Sequence, residues 1–258
     1  MNVPAYLDRI GYRGPTELTS ETLRLLHRSH LETVPFENLD ISRSRPIVLD
    51  ENTIVHKIVA EHRGGFCYEL NDAFAALLRA LGFQVTLLSC RVARENGTES
   101  PDFDHLALRV DLEQTWLGDV GFGEGFLEPL LVQRDVEQKQ EVGVYRIAET
   151  HGSLTVERQQ PDLCWKTEYR FTLTPRRMKD FTAMCHFHQT SPDSHFTQKR
   201  ICSLAVPNGR ITLADLKLIT TKNGIRQERI LASEEERRAV FRAVLWYCVV
   251  ISFNMTGL

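Results

Sequence analysis

The stretch RGGFCYELN, residues 63–71, surrounds a cysteine in a way that suggests chemistry. Downstream, Cys67, Leu70, Phe74, Leu77, Leu78 and Leu81 recur at helical spacing and Gly82 is a stop signal, so Cys67 falls in a helix's first turn. There the unpaired N–H groups and the positive end of the helix dipole favour a thiolate. Gly64 and Gly65 permit backbone angles that other residues resist, which would make a tight entry loop accessible. On this stretch alone, a small apolar residue on a core-facing helix explains Cys67 equally well.

A nucleophilic thiol needs a base, and the base needs a group to orient it. His105 opens DHLALRV and Asp119 closes TWLGDVGFG. A hairpin turning at Leu112 to Gln114 would set the two on one face of paired strands. Taken singly, Asp119 reads as a turn cap before Gly121 and Gly123, and His105 as a structural histidine. Jointly, a helix-start cysteine, a strand histidine and a strand-end aspartate fit a Cys-His-Asp triad. Asp119 would fix the imidazole tautomer and His105 would draw the proton from Cys67.

The elements that would position these residues follow from periodicity. Helical patterns begin near Val3, Thr19 and Asn52, ahead of the Cys67 helix. From Gln84 the period changes to two: QVTLLSCRVA, HLALRVDL, TWLGDVGFG, VGVYRIAE, SLTVERQ and CWKTEYRFTLT read as six strands. A helical patch at Arg177 to Gln189 precedes strands at ICSLAV, RITLADLKLIT and Ile225 to Leu231. Ser233 and Glu236 form a capping box opening a last helix, SEEERRAVFRAVLWYC. The expected class is α+β.

Composition is that of an ordinary globular chain: 258 residues, 42% hydrophobic and 25% charged. A formal net charge of -3 argues against nucleic acid as a partner. MNVPAYLDRIGY lacks a basic region followed by an apolar core, so no secretory signal is expected. The longest apolar run, Val244 to Phe253, is too short to span a bilayer, so no membrane partner is expected either. Six scattered cysteines without a CxxC pair read as reduced thiols in a cytoplasmic protein.

RGGFCYELN, VPFENLD (residues 34–40), DHLALRV, DVGFG and TSPDSHF (residues 190–196) together resemble the arylamine N-acetyltransferase family. The resemblance runs from the N-terminal helix, with Arg9, to about Thr212. It implies a papain-like Cys-His-Asp core in three parts: an N-terminal helical bundle, a central antiparallel β-barrel and a C-terminal α/β lid. Those parts are expected at residues 1–82, 83–190 and 191–258. It further implies ping-pong acetyl transfer from acetyl-coenzyme A to an arylamine or arylhydrazine, with Cys67 as the acetylated residue, His105 the histidine and Asp119 the aspartate. Arg63 and Glu37 match a charged pair that braces the active-site loop. Phe36 and Phe122 fall where family members line the acceptor pocket, Glu124 and Phe126 sit on the same loop, and Phe126 and Asp104 join the expected acceptor contacts.

The loop containing Gly121 and Gly123 allows close backbone approach to a phosphate of coenzyme A, although a flexible turn explains the glycines too. TSPDSHF offers the Ser191 and Ser194 hydroxyls and a helix start for the same pyrophosphate, with Lys199 and Arg200 as counter-charges. Cys185, His186, His188 and His195 fit no usual zinc spacing, and no metal is expected. The family's eukaryotic members carry a longer C-terminal tail that reaches the active site, whereas this chain ends in the apolar LWYCVVISF and NMTGL. Monomer and homodimer both stay open. Two other readings use the same residues: a cysteine-dependent amidase or thioester hydrolase, and a non-catalytic coenzyme A- or xenobiotic-binding module.

Overall fold

The computed structural model describes residues 1–150 and 152–243, so the apolar terminal segment lies outside the described residues. Helices α1 (Val3–Arg9) and α2 (Ser20–Thr33) start at side-chain caps, Asn2 accepting from the Ala5 amide and Thr19 from that of Thr22. The two-residue strand β1 (Phe36–Glu37), α3 (Leu39–Ser42), α4 (Glu51–Val55) and a π-turn (His56–Ala60) lead to α5 (Cys67–Leu81). α5 ends at Gly82, whose φ of 102° suits a residue without a side chain. Every residue of α5 from Cys67 to Leu78 is buried. This is a central helix, so its polar side chains Glu69, Asn71 and Asp72 are carried inward with the apolar ones.

Eight antiparallel strands follow: β2 (Gln84–Val92), β3 (His105–Asp111), β4 (Thr115–Gly118), β5 (Leu130–Leu131), β6 (Gln138–Gln140), β7 (Gly143–Thr150), β8 (Ser153–Gln159) and β9 (Trp165–Phe171). They form one sheet in the order β5-β4-β3-β2-β9-β8-β7-β6. Its two edges are joined by side chains. Gln138 accepts from the Leu131 amide (2.7 Å) and donates to the Leu131 carbonyl (3.0 Å), as a neighbouring strand would. Gln140 accepts from the Leu127 and Glu128 amides and donates to the Glu128 carbonyl. These glutamines nearly close the barrel and satisfy edge groups that would otherwise be left open. Leu88, Cys90, Ala107, Leu117, Phe126, Tyr145 and Tyr169 pack in its interior.

After a 3₁₀ turn (Met178–Phe181), α6 (Thr182–Thr190) and α7 (His195–Gln198) come four more strands: β10 (Ile201–Val206), β11 (Gly209–Ala214), β12 (Lys217–Lys222) and β13 (Ile225–Ile230). A helix over residues 234–243 follows. β1 joins this second sheet, in the order β1-β10-β11-β12-β13, with Phe36 opposite Ser203. RITLADLKLIT is therefore a hairpin and not one strand. Asp215, at φ 50°, turns the chain between Ala214 and Lys217. The next turn is Asn223-Gly224, both at positive φ, as two-residue hairpin turns require.

If Gln140 closes the barrel as described, Gln140→Ala leaves two amides and a carbonyl without partners. We expect a loss of about 1–3 kcal/mol. Urea unfolding of the variant would read it, and an unchanged midpoint would mean that water serves these groups equally well.

Candidate active site

The entry to α5 is shaped by close approach. A Cβ on Gly64 would lie 1.9 Å from the Pro35 carbonyl oxygen, and one on Gly65 would lie 2.7 Å from Glu69 Cβ. Neither glycine has positive φ, so the expectation of unusual backbone angles is corrected. The side chains are missing because the loop is pressed between β1 and the helix. The Gly65 carbonyl accepts from the Glu37 amide at 2.8 Å, tying the loop to β1. Phe66 caps the helix, and Glu69 reaches back to accept its amide at 3.1 Å.

Beneath the loop lies a buried charged chain. Arg63 bonds Glu37 (2.7 Å) and Asp40 (2.6 Å), while Lys57 bonds Asp40 (2.8 Å) and Glu69 (2.7 Å). Burial pushes the Glu69 carboxyl up to about 7, against the pull of Lys57. Burial opposes the Lys57 charge as well, but the carboxylates of Glu69, Glu37 and Asp40 hold its pKa above the ordinary value. Arg9 donates to the carbonyls of Thr33, Ile58, His62 and Arg63, clamping α2 and the loop from below.

The expected hairpin forms, with Asp111 opposite Thr115 and Leu108 opposite Gly118. β4 ends at Gly118, so Asp119 opens a loop and does not close a strand. His105 and Asp119 meet there, Nε2 to Oδ2, at 2.7 Å, both buried. The other carboxylate oxygen, Oδ1, accepts from Asn71 (3.0 Å) and from the Gly121 amide (3.0 Å). Burial alone would raise the Asp119 pKa, yet His105, Asn71 and the Gly121 amide hold it below the usual value. Asn71, four residues after Cys67, also donates to the Leu106 carbonyl (2.6 Å) and accepts from the Val120 amide (2.9 Å). One side chain thus fixes α5, β3 and the Asp119 loop in register.

Cys67 itself is 3% exposed. Burial, together with the negative charges of Asp104 and Asp119, pushes its thiol well up, and the Leu106 amide works in the opposite direction. Burial thus works against the bias toward thiolate expected of a helix start.

The remaining candidates scatter around this centre. Phe122 packs edge-on to His105, with ring centroids 5.2 Å apart, and Phe36 lies 6.1 Å from Phe196. Phe126 is fully buried in the barrel, stacked on His27 and edge-on to Tyr145. Asp104 sits 3.3 Å from His188 Nε2. A Cβ on Gly121 would lie 2.7 Å from Cys67 Cα, so this glycine abuts the helix start, whereas Gly123 has positive φ and open space. Ser194 is buried, capping α7 and bonding His188, while Ser191 accepts from the Asp193 amide. Arg200 is paired with Asp215 and Glu234. Among the described residues, no three His, Cys, Asp or Glu side chains are grouped to hold a metal ion.

A family model described as N-acetyltransferase matches residues 19–247. The chain is 34% identical to the pineal gland arylamine N-acetyltransferase isozyme NAT-3 of Gallus gallus, covering 93% of this chain and 92% of that protein. It is also 34% identical to proansamycin X synthase of Amycolatopsis mediterranei, over 95% of this chain and 96% of that protein. Mycobacterium marinum arylamine N-acetyltransferase, solved in complex with CoA, matches with a TM-score of 0.89 at 27% identity, covering 97% and 94% of the two chains. The chain belongs to the arylamine N-acetyltransferase family. It is an acetyltransferase enzyme.

Two residues of this candidate site carried no signal in the sequence. Tyr169 packs on both His105 (5.3 Å) and Phe122 (4.9 Å). His27, on α2, accepts the Asp119 amide on Nε2 (3.0 Å), so its Nδ1 donates to the Leu127 carbonyl (2.8 Å). This bonding uses the neutral imidazole, and burial lowers the His27 pKa to about 4. A helical histidine on an apolar face looks structural, and only the fold reveals that it holds both ends of the loop after Asp119.

Between the ordinary histidine value of 6.5 and about 4, the native protein binds fewer protons at His27 than the unfolded chain does. The stability this residue contributes is complete above the upper value and lost as pH falls toward the lower one. His27→Leu strips partners from a buried amide and a buried carbonyl, so it should cost about 1–3 kcal/mol at neutral pH. Below neutral pH it should lose less further stability than the wild type. Denaturant titrations at two pH values would measure both effects, and equal pH slopes would remove His27 as a titrating contributor.

Proposed function

We propose that this enzyme carries acetyl from acetyl-coenzyme A to the nitrogen of an arylamine or arylhydrazine, by double displacement through an acetyl-Cys67 thioester. The observation that carries the reading is a His105–Asp119 pair held at 2.7 Å, with the Asp119 loop packed against a buried helix-start thiol, since a Cβ on Gly121 would lie 2.7 Å from Cys67 Cα. With Nε2 engaged by Asp119, Nδ1 is the nitrogen left to exchange a proton with the thiol. Because burial disfavours a lone thiolate, ionisation proceeds by transfer to His105, giving a thiolate–imidazolium pair that Asp119 stabilises.

The Cys67 sulfur attacks the thioester carbonyl, the carbonyl–sulfur bond to coenzyme A breaks, and His105 returns its proton to the departing thiolate. An aromatic amine, neutral near pH 7, then attacks acetyl-Cys67. Its proton passes to His105 as the carbonyl–Cys67 bond breaks, which restores the ion pair. Phe122 and Tyr169 beside His105 suit a flat ring, whereas an alkylammonium would have to be desolvated and deprotonated first.

Intact-mass spectrometry after mixing with acetyl-coenzyme A alone should show one added acetyl group, absent from Cys67→Ala. An acetyl on another cysteine would overturn the assignment. Coenzyme A release at full rate in buffer without amine would make the protein a thioester hydrolase.

Asp119→Asn should retain the fold but lose turnover on the order of 10³–10⁴, by analogy with the same change in a serine triad. An amide neither stabilises imidazolium nor enforces the tautomer. A near-wild-type rate would reduce Asp119 to a loop anchor.

A further inference from the structure

Four histidines are buried among the described residues: His27, His30, His105 and His188. Two of them are held neutral. His27 accepts an amide proton and donates to a carbonyl. His30 has the Tyr6 hydroxyl at Nδ1 (3.3 Å) and no partner at Nε2, and burial beside Arg9 keeps its pKa well below the usual value. The other two face carboxylates. His105 is bonded to Asp119, and His188 has its Nε2 3.3 Å from Asp104 Oδ1. Both pairs bear on the first turn of α5. After burial, the Asp104 charge is the largest influence raising the Cys67 thiol, ahead of that of Asp119. Tyr68, next to Cys67, fixes the segment carrying Asp104 by donating to the carbonyls of Phe103 (2.7 Å) and Asp104 (3.1 Å). Despite its burial, the Asp104 carboxyl is held below the usual value by His188, Ser100 and His105. An ionised Asp104 therefore stands against the thiolate unless a cation balances it.

The surroundings of His188 suit a ring that gains and loses a proton. Its Nδ1 lies 3.1 Å from the Ser194 hydroxyl, which also accepts from the Phe196 amide (3.2 Å). A hydroxyl can donate to a neutral ring or accept from a charged one by rotating, so Ser194 serves both forms in place. Nε2 is buried and off line for a hydrogen bond to Asp104. The contact is thus mainly one of charge, strong when the ring is protonated and weak when it is neutral. His188 also lies in the last turn of α6, where the helix dipole favours a cation. The other titratable side chains nearby are Tyr68, with ring centroids 6.1 Å apart, and Cys185, one turn back on α6. Both keep their protons through neutral pH, since burial pushes the Tyr68 hydroxyl up and the Cys185 thiol up to about 12. The rings of Phe187 and Phe196 pack steeply against the imidazole on its remaining sides.

We propose that His188 is a positioning residue for the Cys67 nucleophile: its protonated ring balances Asp104, so that Cys67 passes its proton to His105 more readily, and its neutral ring leaves the Asp104 charge set against the thiolate. Asp104 also favours the His105 imidazolium. Asp119 already holds that charge by a direct bond, so the effect at the sulfur decides. The reactivity of Cys67 then depends on two histidines, His105 as its proton acceptor and His188 through Asp104. This inference rests on the reading of Cys67 as the nucleophile.

The test is the rate of Cys67 alkylation by iodoacetamide across a pH series, read by peptide mass spectrometry with the exposed Cys164 as a reference in the same digests. His188→Gln keeps a polar group beside Asp104 but carries no charge. It should lower Cys67 reactivity on the order of tenfold below neutral pH, and leave it close to wild type in the alkaline range, where His188 has no proton to lose. Asp104→Asn should raise reactivity, and the double variant should lie close to Asp104→Asn alone, because His188 then has no carboxylate to balance. The same ordering should hold for coenzyme A release in the first turnover with acetyl-coenzyme A. Coincident profiles for wild type and His188→Gln would overturn the proposal. So would an equal loss at every pH that Asp104→Asn does not relieve, which would reduce His188 to a packing residue. Should His188→Gln not fold, the wild-type profile decides: it should need two ionisations below that of a free thiol, and a single one would overturn the proposal. The expected alkylation profiles without any acetyl-enzyme formed from acetyl-coenzyme A would instead overturn the acetyl-transfer reading.

Discussion

The site depends on burying the first turns of α5, polar side chains included. A helix start exposes unpaired amides, and here it enters the interior with Glu69 and Asn71 beside Cys67. Each polar group must find a partner or cost about 1–3 kcal/mol. Glu69 takes the Phe66 amide and Lys57; Asn71 takes Asp119, Leu106 and Val120. The same bonds that make burial tolerable bring the histidine strand and the aspartate loop to the cysteine.

The charged chain from Glu37 through Arg63, Asp40 and Lys57 to Glu69 works as an alignment device more than as a source of stability. Buried ion pairs rarely repay their desolvation, and removing one partner leaves the other stranded. That asymmetry makes alternative positions of the 63–66 loop expensive, because any shift unpairs charges at several points together. Arg9 extends the constraint by occupying four carbonyls of α2, the π-turn and the loop. A nucleophile must be held to within fractions of an ångström, and a cooperative network of this kind supplies that precision.

Much of this could be read along the chain because its signals are local. Helical spacing and Gly82 located α5, and the short connection at Leu112 to Gln114 set β3 beside β4, at whose end the Asp119 loop meets His105. What stayed hidden depends on contacts distant in sequence. The role of His27 arises from partners about a hundred residues away, and the pairing of β1 with β10 spans more than 160 residues. Barrel closure by Gln138 and Gln140 uses side chains in the role of backbone, which no periodicity encodes. Gly64, Gly65 and Gly121 were noticed as glycines, but the reason for them is what lies against them, and that is legible only in three dimensions.

The buried thiol also bears on how acyl transfer could prevail over hydrolysis. Desolvation that raises the Cys67 pKa also excludes water from the sulfur, so a thioester formed there would meet few water molecules. His105 is flanked by the rings of Phe122 and Tyr169, which would suit the aromatic acceptor proposed above. On the proposed mechanism, one physical property then has two effects. The thiol ionises only together with proton transfer to His105, and the acyl group remains attached until an amine displaces it. An exposed, strongly ionised cysteine would react sooner but discriminate less between amine and water. On the proposed mechanism, burial balanced by a buried aspartate would favour transfer.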